Sequence, residues 1–297
     1  MGSIPTPGTM YGNVITELPD GFVPLQQWPE YDLAHLPFPT FNPELVDSNP
    51  RGVRWSLWPF TFEEYVSETE PDLSRSDPTR RARNRLVLWR TATRIASPRG
   101  WIRIGYRAAK LEGFAELGQE AYYTHWDESA KRYRNKWLRN YAEKTHRIES
   151  IDYNTFKAAY ERSEVAKKVK SLLLDMIERQ TDERTRPYYE FIVVTNIATG
   201  ARIAGMCLLN SPTHRASYYV SGFYTSEEGH VPAMVALMDH WFKTSHARGM
   251  RFLHFGEFWM RGKPKNWKGF SLFKAKFGLH YIAYPPALLR FMPGRLF

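Results

Sequence analysis

The chain has 297 residues, 43% of them hydrophobic and 24% charged, with a formal charge of +10. That length holds one large domain or two small ones, and the positive balance points to a polyanion: RNA, a phosphorylated precursor or an anionic membrane surface. A single cysteine, Cys207, excludes a disulfide within the chain and a cysteine-built zinc site, and no run approaches the roughly 20 apolar residues that cross a bilayer.

Residues 1–50 are dense in proline, from Pro5 to Pro50. Proline fixes φ and removes backbone donors, which predicts an extended arm. Its Phe22, Leu25, Trp28 and Tyr31 predict that the arm wraps over a folded body. The N-terminus is polar and lacks the apolar core of a signal peptide, so the cytoplasm is the expected location. Residues 51–125 read as a basic helical region with a broken middle. From Arg75 to Lys110 there are ten arginines, Arg75 included, and the only acid among them is Asp77. Arg81 and Arg85 represent this stretch as candidate nucleic-acid contacts.

A second basic helix is expected over 126–144. Trp126, Ala130, Tyr133, Trp137 and Tyr141 recur at spacings of three and four and form one packed stripe. Arg132, Arg134 and Arg139 fall off that stripe and are further nucleic-acid candidates. So many arginines without neighbouring acids favour a binding surface over merely solvated helix faces.

Beyond it the pattern alternates. A strand is predicted over 146–151, helices over 153–162 and 164–179, and strands over 188–197 and 202–210. The last two are joined by Ala198-Thr199-Gly200, a hairpin turn. An aromatic strand follows over 216–224, then a helix over 232–246 ended near Gly249, a strand over 250–255, a short helix over 271–277 and an apolar tail. Cys207 sits in an alternating apolar run, which suits a small core residue better than a nucleophile.

The order is strand, two helices, three antiparallel strands, helix, strand, helix, strand, which resembles the GNAT fold. In that fold an acyl donor binds where two central strands splay apart, here 216–224 and 250–255. The fold class expected is therefore α+β. It comprises a GNAT-like acyltransferase domain over 126–297, with a mixed, mostly antiparallel sheet, preceded by the Pro-rich arm and the basic helices. Several motifs narrow the resemblance: Trp126-Asp127-Glu128-Ser129, Ile148-Glu149-Ser150, Tyr218-Tyr219, His254-Phe255-Gly256, and above all Trp267-Lys268-Gly269-Phe270-Ser271-Leu272-Phe273-Lys274-Ala275-Lys276-Phe277-Gly278. They are similar to the FemA/FemB/FemX-like branch, whose members are aminoacyl-tRNA-dependent transferases that extend peptidoglycan precursor peptides.

The resemblance implies that Lys274 of the Phe-Lys pair serves the tRNA-dependent step, with Phe273 walling the acyl site. His254 and Glu257 flank the end of a splayed strand, where a base would sit. Tyr218, Tyr219, Tyr224, Trp267, Lys268 and Lys276 are candidates for binding substrate. For His254 and Phe273, core packing is the competing role. A CoA user presents a glycine-rich loop at the start of its central helix. The corresponding loop here, Thr225-Ser226-Glu227-Glu228-Gly229-His230-Val231-Pro232, has one glycine and two carboxylates that repel a pyrophosphate. No bound cofactor and no metal are therefore expected, acetyl-CoA being the alternative. The expected donor is aminoacyl-tRNA and the acceptor an amine. A non-catalytic RNA- or membrane-surface-binding protein on the same scaffold is the remaining reading.

Overall fold

The computed structural model describes residues 14–15, 17–31, 44–46, 50, 52–57, 59–75, 84–105, 110–118, 121–165, 167–180, 185–225, 230–260, 265 and 267–294. In chain order these form β1 (Val14–Ile15), β2 (Glu44–Val46), β3 (Gly52–Leu57), β4 (Phe60–Val66), β5 (Asn84–Arg90), β6 (Ile102–Arg103) and β7 (Lys110–Glu116). Then come α1 (Glu128–Asn140), β8 (His146–Ile151), α2 (Tyr153–Glu161), α3 (Lys167–Gln180), β9 (Tyr189–Asn196), β10 (Arg202–Ser211) and β11 (Ala216–Tyr224). The chain ends with α4 (Ala233–Ala247), β12 (Phe252–Glu257), α5 (Trp267–Lys274), β13 (His280–Tyr284) and β14 (Leu288–Met292). They divide into two compact units. One comprises Met1–Glu112, Glu257–Trp267 and Tyr281–Phe297, the other Gly113–Gly256 and Lys268–His280. The division thus falls earlier than the expected start at Trp126, and the tail returns to the first unit.

The first unit corrects the helical expectation for 51–125. Its sheet has the order β2-β3-β4-β5-β14-β6, with β4 and β5 parallel. The reason lies in β5, which turns Arg85, Val87 and Trp89 inward. An arginine on the buried face breaks the apolar alternation by which a half-buried strand is recognised. Arg85 is not a surface contact for nucleic acid, as the sequence suggested. Its guanidinium donates to Glu63 on β4 at 2.8 Å, and Arg54 on β3 donates to the same carboxylate at 2.9 Å. The Tyr65 hydroxyl donates to Glu63 as well. Arg90 pairs with Glu64. The acids missing between Arg75 and Lys110 are supplied by the neighbouring strand. Arg81 lies outside the described residues. Around these ion pairs Tyr65, Leu73, Val87, Trp89, Trp101 and Leu288 form the core. Within the proline-rich segment Phe22, Leu25, Trp28 and Tyr31 are buried, and the Gln27 amide donates to the Val66 carbonyl.

In the second unit the strand order is β7-β12-β11-β10-β9-β8. β8 to β11 are antiparallel neighbours, whereas β11 and β12 run parallel. Asp127 caps α1, accepting from the Ala130 N–H at 2.7 Å. Gly200, at φ 71°, closes the β9–β10 turn, and Gly249, also at 71°, ends α4. β9 and β10 are buried on both faces, beneath Trp241 and Phe242 of α4 on one side and Phe156 and Tyr160 of α2 on the other. Cys207 is fully buried within this core, and burial pushes its thiol up, away from the nucleophilic form.

Candidate active site

β11 and β12 pair for only three residues, from Ala216 with Phe252 to Tyr218 with His254. Immediately after that point β11 carries a bulge. Cys207 of β10 lies opposite Ser221 and Leu208 opposite Tyr219, so Val220 is an extra residue. A bulge bends its strand and sharpens the twist, which accounts for the parting of β11 from β12. It also exchanges the faces of the strand. Before it, Ser217 accepts from the Trp241 indole N–H at 2.8 Å and the Tyr219 ring stands 6.3 Å from Trp241, both on the α4 side. After it, Ser221 shares a 2.9 Å hydrogen bond with Tyr160 of α2, and Phe223 packs on the same ring. Gly222 and Tyr224 are thereby turned back to the α4 side.

A cavity of about 430 Å³ lies between the far end of β11 and the start of α4. Tyr224 and Thr225 form one wall, His230 to Val235 at the start of α4 another, and Tyr133, Ile203, Phe273 and Lys276 complete it. The first helical hydrogen bond of α4 runs from Ala236 N–H to Pro232 C=O, so the N–H groups of Ala233, Met234 and Val235 precede the ladder. That end of the helix carries the positive end of its dipole. Lys276 stands on the same cavity and donates to the Ser129 hydroxyl, and Lys136 of α1 donates to the His230 carbonyl. The wall is mainly apolar with a positive end, suited to an acyl group that carries an anion nearby. Among the described residues no group of three His, Cys, Asp or Glu could hold a metal ion. Of the loop whose acids weighed against CoA, 226–229 lie outside the described residues.

The sequence-predicted residues separate into groups. Tyr224, Phe273 and Lys276 meet on the cavity. Lys274 does not line it. Its ammonium is buried, donates to the Phe255 carbonyl of β12 at 2.6 Å and sits 4.9 Å from the Phe270 ring centre. Tyr219 is 4% exposed, its ring 5.7 Å from Phe270. His254 is buried opposite Tyr218, and the Tyr218 ring lies over Gly256 at the end of β12. Glu257 belongs with Lys110 and Glu112 in the first unit. Burial alone would lower the Lys110 pKa, and these carboxylates raise it instead. Trp267 and Lys268 are exposed at the start of α5.

Helix α1 needs two corrections. Tyr133 is not part of the packed stripe, being 39% exposed and on the cavity wall, whereas Trp126, Ala130 and Trp137 are buried as expected. Arg134 is not on the outer face. It donates to Asp239 of α4 at 2.5 Å, its guanidinium 4.2 Å from the Tyr123 ring centre. Burial pulls this guanidinium down, and the Asp239 carboxylate more than reverses the effect. Arg132 and Arg139 are exposed, one on either side of Lys136 at helical spacing. Sequence reasoning missed Tyr133, Ile203 and Met234 as cavity residues. Only their distance from the α4 N-terminus in the folded chain marks them, and no local pattern carries that.

FemX aligns over 90% of this chain and 94% of its own, with a TM-score of 0.63 and 10% identity. The fold is GNAT-like, of the FemX type. The C-terminal domain of a putative lysylphosphatidylglycerol synthetase from Agrobacterium fabrum aligns at TM-score 0.53 and 10% identity, over 84% of each chain. L-PGS from Bacillus licheniformis gives the same score and identity, over 84% of this chain and 83% of that one. No family model and no curated protein matches the sequence. The FemX likeness covers more of the chain than Trp126 to Phe297, where the sequence resemblance was found, and so takes in strands of the first unit.

Proposed function

We propose that this chain is an aminoacyltransferase that takes its acyl group from aminoacyl-tRNA and passes it to an amine. The observation that carries this reading is the outer face of α1. Exposed Arg132 and Arg139 flank Lys136, and Tyr133 on the same helix leads into the cavity at the start of α4. A phosphate backbone lying along the arginines would bring an esterified 3′ end to that cavity. The amphipathic wall of Tyr224, Tyr133 and Phe273 suits a terminal nucleoside and its aminoacyl group, since aromatic faces stack on bases. The fold supports the reading, because FemX and two proteins named for lysylphosphatidylglycerol synthesis share it. A charged-tRNA donor would place the reaction in the cytoplasm.

The N-terminus of α4 beside Lys276 favours one other donor, acetyl-CoA, whose pyrophosphate such a helix end attracts. The two donors are separated by binding and turnover. The protein is titrated with charged tRNA, uncharged tRNA and acetyl-CoA, and release or transfer of labelled acyl group is followed. Preferential binding of charged tRNA with loss of its label is expected. Acetyl-CoA binding near micromolar affinity, with charged tRNA left intact, transfers the assignment to a CoA-dependent N-acyltransferase. Binding of RNA without turnover of either donor makes it a binding protein.

A further inference from the structure

The sheet of the first unit has a face that its core does not use. Arg85, Val87 and Trp89 of β5 point inward, so the alternate residues of that strand lie on the opposite side. The strand register lines those residues up. Trp55 on β3 stands opposite Phe62 on β4, Phe62 opposite Leu86 on β5, and Leu86 opposite Phe291 on β14. In the next row Leu88 faces Leu289, and Leu289 faces Ile102 on the edge strand β6. Phe291 is 54% exposed and Ile102 64%, and the other five are partly exposed. Among the described strand residues, the charges on this face are Glu64 and Arg90, which pair with each other. A row of apolar side chains across four strands, open in part to solvent, marks an interaction surface.

Charge at the edge of this face decides what it meets. The turn from Pro98 to Trp101 places exposed Arg99 at the entry to β6, three residues before Ile102. Exposed Arg94 stands close enough to Arg103, the neighbour of Ile102, for their charges to act on one another. The carboxylates near this edge are engaged. Glu68 accepts from the Ala92 N–H and the Thr93 hydroxyl, and Glu70 from the Trp101 indole. A second copy of the chain, meeting this face in a two-fold contact, would set the same arginines against each other. RNA would pair with the arginines, but Leu86, Leu88, Leu289 and Ile102 offer no ring on which a base could stack. We infer that this face docks on an anionic lipid surface, with Ile102 and Phe291 entering the headgroup boundary and Arg94 and Arg99 meeting the headgroup charges. Docking is independent of which acyl donor is used.

The full chain is sedimented with vesicles of phosphatidylcholine alone and of phosphatidylcholine mixed with phosphatidylserine. Wild type is expected to bind the mixed vesicles, less so as salt is raised. Ile102→Ser with Phe291→Ser should lower the partition coefficient by about tenfold or more. Arg94→Gln with Arg99→Gln should lower it by roughly fivefold per residue. All four side chains are exposed, so thermal unfolding of both variants should match wild type. Wild type that stays in the supernatant with the mixed vesicles overturns the inference. Equal binding by Ile102→Ser with Phe291→Ser overturns it too, because the apolar face then takes no part. If, without lipid, that variant turns a dimeric wild type into a monomer, the face belongs to a second copy; if it loses affinity for RNA, the face belongs to RNA. Turnover of charged tRNA is measured on the lipid-free protein, so its failure and the failure of docking are read separately.

Discussion

Glu63 shows how one residue can fix the electrostatics of a unit. Its side chain is fully buried between Arg54 and Arg85 and also accepts from the Tyr65 hydroxyl. Burial alone would raise its pKa, yet the Arg85 hydrogen bond and the charges of Arg54 and Arg85 hold the carboxyl below its ordinary value. A folded-state pKa below the unfolded one means that ionised Glu63 adds stability above the unfolded carboxylate pKa. That contribution is lost as pH falls through the folded value. Urea unfolding of wild type and Glu63→Gln should therefore differ at pH 7, and the difference should shrink as pH falls below the ordinary carboxylate range. At neutral pH, Glu63→Ala leaves two buried guanidiniums uncompensated and should cost about 3–5 kcal/mol. A Glu63→Ala loss within 1 kcal/mol would show that the arginines find other partners or water. Nothing local in the sequence announces this triad. Glu63 and Arg85 are 22 residues apart and meet only because β4 and β5 pair in parallel.

Among the elements, those of the second unit were largely legible. From β8 to β12 apolar periods of two and of three or four residues follow one another with Asp239 of α4 as the one buried carboxylate among the described residues, and Asp127, Gly200 and Gly249 mark element ends. The strands of the first unit were not, because β5 spends an inward position on Arg85 and β4 another on Glu63. The site itself was half legible. Motif residues Phe273 and Lys276 reach the cavity, but Lys274 between them turns to the Phe255 carbonyl, since neighbours on a helix lie about 100° apart. The Phe277-Gly278 pair that closes the motif has a structural cause. Gly278 ends the segment after α5 in the left-handed region at φ 66°, and a side chain there would stand 2.5 Å from the His125 carbonyl oxygen. Because a backbone carbonyl cannot move aside as a flexible side chain can, Gly278→Ala should destabilise by roughly 2 kcal/mol or more. Denaturant unfolding measures it. A loss below 0.5 kcal/mol would mean that the chain before α1 shifts freely.

At the scale of the whole molecule, a count of 41 lysines and arginines overstates what is available to a partner. Arg54, Arg85, Arg90, Arg134, Arg248 and Arg251 are all held in ion pairs. Arg132 and Arg139 are exposed on α1 and have no ion-pair partner among the described residues. A polyanion gains affinity by releasing counterions only through contacts of this second kind. Binding of charged tRNA should therefore weaken steeply with salt, and each lost phosphate contact should flatten the plot of log affinity against log salt by about one unit. Arg132→Gln with Arg139→Gln should reduce the slope by about two, at every tRNA sequence alike. Arg90→Gln should leave the slope unchanged, because that guanidinium already faces Glu64. The decisive contrast is between the two variants. If Arg132→Gln with Arg139→Gln keeps the wild-type slope while binding persists, the polyanion docks elsewhere and the outer face of α1 is only a solvated helix. If Arg90→Gln flattens the slope as much, the paired arginines are not withdrawn, and the excess charge acts as an unstructured whole.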